Sequence, residues 1–299
     1  MVQEKIKVLI ISGPTAVGKS AFGVKAAQLL NGEVISADSM QIYRGMDIGT
    51  GKITASEMHG VKHHMLDVAD PDEDYSVGQY VYEAANLIKD IAIRGKLPII
   101  VGGTGLYINS LMFGHSFSQT QRNEEIRAQL RRFVAENGNS ALHQKLAEVD
   151  PVSAQKIMVN DVKRAIRAYE IYLITGKPRS EQLDENKPMY DYKMLVLTDD
   201  RETLYQRINA RVDDMLNRGL IDEVRSFYRY KNCNSMQAIG YKEIIKYFDG
   251  EITVEQAIEE IKKGSRNYAK RQMTFFRGIK LEKEFLQVSD CAEYLSKMQ

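Results

Sequence analysis

Eight residues near the amino terminus, Gly13-Pro14-Thr15-Ala16-Val17-Gly18-Lys19-Ser20, have the types and spacing that hold phosphate. They complete a G-x-x-x-x-G-K-[ST] pattern, placed directly after an apolar run and directly before a helical one, which is the context the pattern requires. Glycines let successive backbone N–H groups turn inward around phosphate oxygens, and the following helix adds the positive end of its dipole. Lys19 supplies a mobile charge, and Ser20 can offer its hydroxyl to Mg²⁺. The loop calls for a di- or triphosphate without saying which.

Two further loops supply polar groups to the same side of the fold. Val34-Ile35-Ser36-Ala37 runs into Asp38-Ser39, and in an open α/β sheet the carboxyl ends of strands face the ligand crevice. Asp38 is therefore a candidate general base or acceptor-orienting group, with a helix cap or a metal-supporting role as the plainer alternative. Ile99-Ile100-Val101 ends in Gly102-Gly103-Thr104-Gly105, a tight turn whose Thr104 hydroxyl is within reach of that crevice. No apolar run ending in Asp-Glu marks a water-activating nucleotidase.

On a helical wheel begun at Leu204, Ile208, Val212, Met215 and Leu216 fall within about 0–120°, and Arg207, Arg211 and Arg218 cluster at about 300–340°. Cations at the edge of a buried face either lean over a cleft or lie along a solvated rim. His59, His63, His64 and Asp67 are metal-ligand types close together, but adjacent histidines cannot both face one site on a regular element, so a cleft-lining loop is expected.

The elements that must position these groups read as an α/β core. Short β-branched runs at Val8–Ile11, Val34–Ala37, Ile99–Val101 and Met194–Leu197 alternate with helical stretches, as in a parallel sheet with crossover helices. From about Gln121 to Gly176 only helical periodicity is found, with Asn160 a plausible N-cap and Gly176 a C-cap. The expected architecture is a P-loop NTPase-like parallel sheet over 1–118 and 188–299, with an all-helical insertion over 119–187 and a basic C-terminal helix. Helices are expected at about Arg201–Arg218, Leu220–Tyr230 and Thr253–Arg277, with Gly219 marking a break.

Composition excludes several classes. The chain has 299 residues with 43% hydrophobic and 27% charged, so intrinsic disorder is excluded. Its 41 basic and 40 acidic residues leave a formal charge of +1, so any electrostatic footprint is local. Two cysteines without a C-x-x-C support neither a disulfide framework nor a cysteine zinc site, and fit a cytoplasmic protein. No apolar run approaches the roughly 20 residues of a membrane span, and no signal-peptide pattern is present. Local basic surfaces do occur. Lys262 to Lys280 holds seven Lys/Arg and no acid, interleaved with Tyr268, Phe275 and Phe276, a pattern that suits an RNA backbone with unstacked bases. Lys163, Arg164 and Arg167 form a second group in the insertion. A solvated helix face is the ordinary meaning of either.

Taken with Asp38-Ser39 through Gly51-Lys52, His63-His64-Met65-Leu66-Asp67, Gly102–Tyr107, Ala238-Ile239-Gly240-Tyr241-Lys242 and Tyr268-Ala269-Lys270-Arg271-Gln272, the phosphate loop makes the chain resemble, over nearly its whole length, the bacterial tRNA dimethylallyltransferase family. Departures are mild: Ser20 stands where many members carry Thr, Phe275 where many carry Trp, and the zinc finger of eukaryotic relatives is missing. The resemblance implies transfer of a dimethylallyl group from dimethylallyl diphosphate to N6 of the adenosine 3′ to the anticodon (position 37), releasing diphosphate. It implies that Gly13–Ser20 bind the diphosphate, that Ser20 holds Mg²⁺, and that Lys19 and Arg211 neutralise the leaving group. Asp38 resembles the family's base and Thr104 an acceptor-site residue. A monomer is expected, and the resemblance further implies a grip on the tRNA anticodon stem-loop through Asp38, Ser39, Met40, Gln41, Thr104, Arg127, Lys163, Arg164, Arg167, Gln237, Gly240, Tyr241, Lys242, Arg266, Lys270 and Arg271.

Rival classes use some of the same residues. A small-molecule or nucleotide kinase would need the same loop and a strand-end Asp. An RNA-binding GTPase-like module would need an Asn-Lys-x-Asp, which is not found, and the insertion and basic tail argue against an adenylate dimethylallyltransferase.

Overall fold

A computed structural model describes residues 5–114, 123–182 and 187–297. The boundary expected between 118 and 119 lies outside the described residues. Six strands, β1 (Lys7–Ser12), β2 (Gly32–Ser36), β3 (His63–His64), β4 (Leu97–Gly102), β5 (Asp191–Thr198) and β6 (Glu284–Gln287), form one sheet in the order β3-β2-β4-β1-β5-β6. Every pairing is parallel. Ile10, Ile11, Ile35, Ile99, Ile100 and Leu195 are wholly buried. Near-continuous β-branched runs are what a sheet covered on both faces demands, each such side chain contributing roughly 1.5–3 kcal/mol of burial.

The sheet has two more strands than the four apolar runs announce. β3 is two residues long and β6 buries only Leu286, so neither stands out as an apolar run. β3 also corrects the expectation of a cleft-lining loop at His63–His64. His64 Nε2 lies 2.8 Å from the Glu33 carboxylate, which is 1% exposed and also receives Arg94 and Lys96. Those hydrogen bonds, led by Arg94, hold the Glu33 carboxyl well below the usual carboxylate range.

Crossover helices α1 (Lys19–Leu29), α2 (Val77–Ile93) and α3 (Gly105–Met112) serve the first part of the sheet. α1 starts at Gly18, whose φ of 98° is a left-handed conformation that costs a residue with a Cβ about 1–2 kcal/mol.

By compactness the chain divides into Met1–Met112 with Pro188–Gln299, and Phe113–Lys187. The second unit is helical among its described residues: α4 (Glu124–Asn137), α5 (Asn139–Val149), α6 (Pro151–Lys156), α7 (Val162–Thr175) and α8 (Arg179–Gln182). Its core is built on Leu130, Leu142, Leu146, Ile157 and Ile166. α7 is capped by Asp161, whose side chain accepts from the Arg164 N–H, rather than by the neighbouring Asn160. Gly176 closes α7 in the left-handed conformation.

Returning to the first unit, α9 (Arg201–Asn217) and α10 (Leu220–Ser226) are separated by left-handed Gly219. α10 stops four residues earlier than expected, giving way to a 3₁₀ turn at Tyr228–Tyr230. α11 (Tyr241–Phe248) precedes the 25-residue α12 (Val254–Gly278), which begins with a reciprocal Thr253–Gln256 capping box, an arrangement contributing about 1 kcal/mol. α12 is followed by β6 and α13 (Cys291–Ser296). Among the described residues, no helix is long and apolar enough to cross a membrane.

Candidate active site

The site gathers at the carboxyl ends of β1, β2 and β4, where the phosphate loop, Asp38 and the Gly102–Gly105 turn emerge. Lys19, Ser20, Asp38 and Arg211 all line one cavity of about 630 Å³. A second cavity of about 340 Å³ adjoins it, and Thr15, Ala16, Asp38, Thr50, Arg211 and Tyr268 line both. The second cavity has an apolar wall of Ile208, Val212, Met215 and Ile261 beside polar Ser39, Gln237, Lys242 and Arg271. A charged site thus abuts one with an apolar wall, and Asp38 and Arg211 face both.

Lys19 donates to the Pro14 carbonyl at 2.6 Å. Burial lowers its amine to about 8, Asp38 opposing and Arg211 adding to that shift. Arg211 is shifted down in the same way by burial, with Asp38 again opposing. Its guanidinium reaches Thr15 Oγ1 at 3.5 Å and the Thr50 and Gly51 carbonyls at 3.5 and 3.4 Å. Of the three arginines at the edge of α9's buried face, Arg207 pairs with Asp199 at 2.9 Å, and Arg218 pairs with Asp214 at 3.5 Å, the latter two both lining the larger cavity. Val17 is buried in the sheet core and lines neither cavity.

Asp38 Oδ1 accepts the Met40 N–H at 2.9 Å, an Asx-type turn that fixes the carboxylate at the end of β2. Thr104 Oγ1 accepts the Ser39 N–H at 3.0 Å, tying the β2 and β4 loops together. Gln41 donates to the Thr50 and Gly51 carbonyls. Tyr268, on α12, faces Asp38 and Thr104; burial, then the Asp38 charge, push its phenol up to about 12.

Two residues without an assigned role enter here. Gln272, 5% exposed on α12, accepts the Thr15 N–H at 2.8 Å and donates to the Gly103 carbonyl at 3.0 Å. Glu223, on α10, receives three backbone N–H groups and the Tyr241 hydroxyl. Gln272 lies inside a motif the sequence presents; Glu223 carries no sequence signal, because its backbone partners are about 175 positions away.

The residues expected at RNA divide by environment. Lys270 and Arg271 are exposed on α12, and Arg271 sits over the Tyr268 ring. Arg266 donates to Asn209 at 2.6 Å. Tyr241 is a correction: it is wholly buried with its hydroxyl on Glu223, leaving no ring surface for RNA, and neighbouring Gly240 receives the Glu243 side chain on its N–H. In the helical unit Lys163 and Arg164 are exposed. Arg127 and Arg167 instead bracket Glu170, which is wholly buried. Burial alone would lift the Glu170 carboxyl; the two guanidiniums outweigh it and hold it down.

A family model described as IPP transferase matches residues 41–279. The chain belongs to that family. The match begins after the phosphate loop, so Gly13–Ser20 speak independently of it. Among the relatives of this chain are tRNA dimethylallyltransferases of Geobacillus thermodenitrificans, 48% identical over 98% of this chain and 94% of the relative, and of Bacillus anthracis, 47% identical over 96% and 92%. A crystal structure of full-length tRNA isopentenylpyrophosphate transferase from Bacillus halodurans matches with 45% identity and a TM-score of 0.74, over 98% of this chain and 96% of that one. A eukaryotic dimethylallyltransferase captured acting on tRNA matches at 33% identity and a TM-score of 0.82, over 96% and 75%.

Proposed function

We propose that the chain transfers the dimethylallyl group of dimethylallyl diphosphate to N6 of the adenosine 3′ to the anticodon, position 37, of tRNA. The observation that carries this reading is the convergence of Lys19, Arg211 and Asp38 on one cavity in a member of the IPP transferase family.

Gly13–Ser20 bind the diphosphate through the backbone N–H groups of Ala16–Ser20 and the Lys19 ammonium, Pro14 having no N–H and Thr15 giving its own to Gln272, and Arg211 faces it from α9. Ser20 is exposed at the start of α1 in the same cavity as Asp38. No group of three or more His, Cys, Asp or Glu suited to a metal exists among the described residues. This donor set suits Mg²⁺, which takes few protein ligands and completes its shell with water and phosphate oxygens. Ser20 would hold it, and when bound it adds positive charge against the departing diphosphate.

An allylic C–O bond breaks readily once its leaving group is stabilised. Lys19 and Arg211 place charge where negative charge develops, and the diphosphate departs with the bonding pair. The adenine N6 lone pair forms the new C–N bond, and Asp38, fixed by Met40, accepts the N6 proton. Thr104 holds the Ser39 backbone on the acceptor side. The adenosine must leave its stack to reach this cleft. Lys242, Lys270 and Arg271 on the core, and Lys163 and Arg164 on the helical unit, meet RNA phosphates in this reading, which their positive charge supports.

Competition binding between dimethylallyl diphosphate and ATP with Mg²⁺ present tests the substrate. Dimethylallyl diphosphate is expected to bind more tightly. An ATP affinity a hundredfold higher, about 2.7 kcal/mol, overturns the reading in favour of a kinase.

A further inference from the structure

We propose that Glu223 is a positioning residue for Arg211, acting through the 46–51 turn. The inference rests on Arg211 facing the leaving group.

Glu223 Oε2 accepts the Asp47 and Ile48 N–H groups at 3.0 and 2.7 Å, and Oε1 accepts the Gly49 N–H at 2.9 Å and the Tyr241 hydroxyl at 2.5 Å. Three consecutive peptide groups thus point their hydrogens at one carboxylate. The carbonyls of those same peptides all hold the next three residues. Met46 O accepts Thr50 Oγ1 at 2.6 Å, Asp47 O accepts the Lys52 N–H at 2.9 Å, and Ile48 O accepts the Gly51 N–H at 3.0 Å. Each peptide is polarised at its N–H end by a full negative charge, which strengthens the bond its carbonyl accepts.

The output of this relay is Arg211. Thr50 and Gly51 present their carbonyls to its guanidinium. The approach there is so close that a Cβ on Gly51 would lie 1.5 Å from Arg211 Nη2, and Gly51 has a φ of +57°. Turn and guanidinium are thus packed with no room for a side chain between them, so the position of the turn sets the footing of Arg211. Lys52 pins the other side of the turn: its ammonium, on a side chain 6% exposed, reaches Tyr43 O, Asp47 Oδ1 and Asp67 Oδ1 at 2.6–2.7 Å. Glu223 follows Arg211's own helix after the Gly219 break. The guanidinium and the turn it docks on are thereby referenced to one helical pair, α9–α10.

The test is a double-mutant cycle of Glu223→Gln and Arg211→Ala, read as kcat/KM for the allylic diphosphate and as affinity of the unmodified protein for inorganic pyrophosphate. Glu223→Gln is expected to lower both by about 10- to 100-fold alone, and by less than about threefold in the Arg211→Ala background. Tyr241→Phe removes the hydroxyl that binds Glu223 and lies against the Gly49 backbone of the same turn, and is expected to move both quantities about threefold, with the effect again vanishing without Arg211. Thermal unfolding of each variant identifies effects that come from a damaged core, and the Tyr241→Phe cycle decides the matter alone if Glu223→Gln does not fold. Factors that multiply across either cycle, or pyrophosphate affinity unchanged in both single variants, overturn the proposal. The pyrophosphate measurement needs no RNA. A wild-type protein that binds pyrophosphate but transfers no prenyl group contradicts the proposed function without touching this inference.

Discussion

Gln272 and Thr15, 257 positions apart in the chain, share a 2.8 Å hydrogen bond that ties the C-terminal part of α12 to the phosphate loop. Its amide nitrogen also donates to Gly103 O, so one side chain spaces the loop after β1 from the loop after β4. The diphosphate side and the acceptor side of the reaction meet at this amide.

Gln272→Ala removes that spacer and leaves the Thr15 N–H without its acceptor. Stability is expected to fall by about 1–3 kcal/mol, and pyrophosphate affinity by about tenfold. Denaturant unfolding and calorimetric titration measure the two. An affinity within twofold of wild type shows that the loop holds its shape unaided.

Lys19 makes diphosphate affinity depend on pH. Below about 8 its ammonium keeps its proton; above that the buried amine releases it. Relative to Lys19→Arg, which stays charged throughout, wild-type pyrophosphate affinity is expected to fall by up to about tenfold per pH unit above 8. For stability the sign is opposite. Between about 8 and the ordinary value of 10.5 the unfolded chain binds the extra proton, so this group's contribution to stability rises with pH in that window. A constant wild-type to Lys19→Arg affinity ratio from pH 7 to 9.5 contradicts the assignment.

Asp38→Asn keeps the shape of the Asx turn and loses the proton acceptor. Turnover is expected to drop by roughly 10²–10⁴ while tRNA affinity stays within a few-fold. If turnover survives and tRNA affinity alone falls, Asp38 positions the acceptor and is not the base.

Four cations of the helical unit separate into two pairs. Lys163→Ala/Arg164→Ala is expected to weaken tRNA binding and to flatten its salt dependence by roughly 0.7–0.9 for each phosphate no longer neutralised, with stability unchanged. Arg127→Ala strips a partner from buried Glu170 and is expected to destabilise the unit by about 3 kcal/mol. Filter binding across a salt series and denaturant unfolding distinguish them. Superimposable salt lines for wild type and the double variant end the claim for Lys163 and Arg164.

What can be read from the chain alone follows from how local each signal is. The four central strands announce themselves as continuous apolar runs because both faces are buried. β3 and β6 escape notice because an edge strand of two or four residues needs little apolar surface. The phosphate loop is readable because eight adjacent residues make it. Arg211 can be placed at the edge of a helix face, but only the close approach of Gly51 separates it from Arg207, which turns to Asp199. Tyr241 reads as an RNA-binding residue from its motif; burial against Glu223 is a tertiary fact with no local trace. Asp161 replaces Asn160 as a cap because adjacent residues of equal capping ability differ only in which backbone leaves the helix first.

Purified protein incubated with labelled dimethylallyl diphosphate, Mg²⁺ and total tRNA, followed by digestion to nucleosides, reads prenyl transfer to the adenosine itself. Label is expected on the N6 of adenosine, with one diphosphate released per group transferred and no requirement for ATP. Unlabelled tRNA together with ATP turnover on a small acceptor would contradict it.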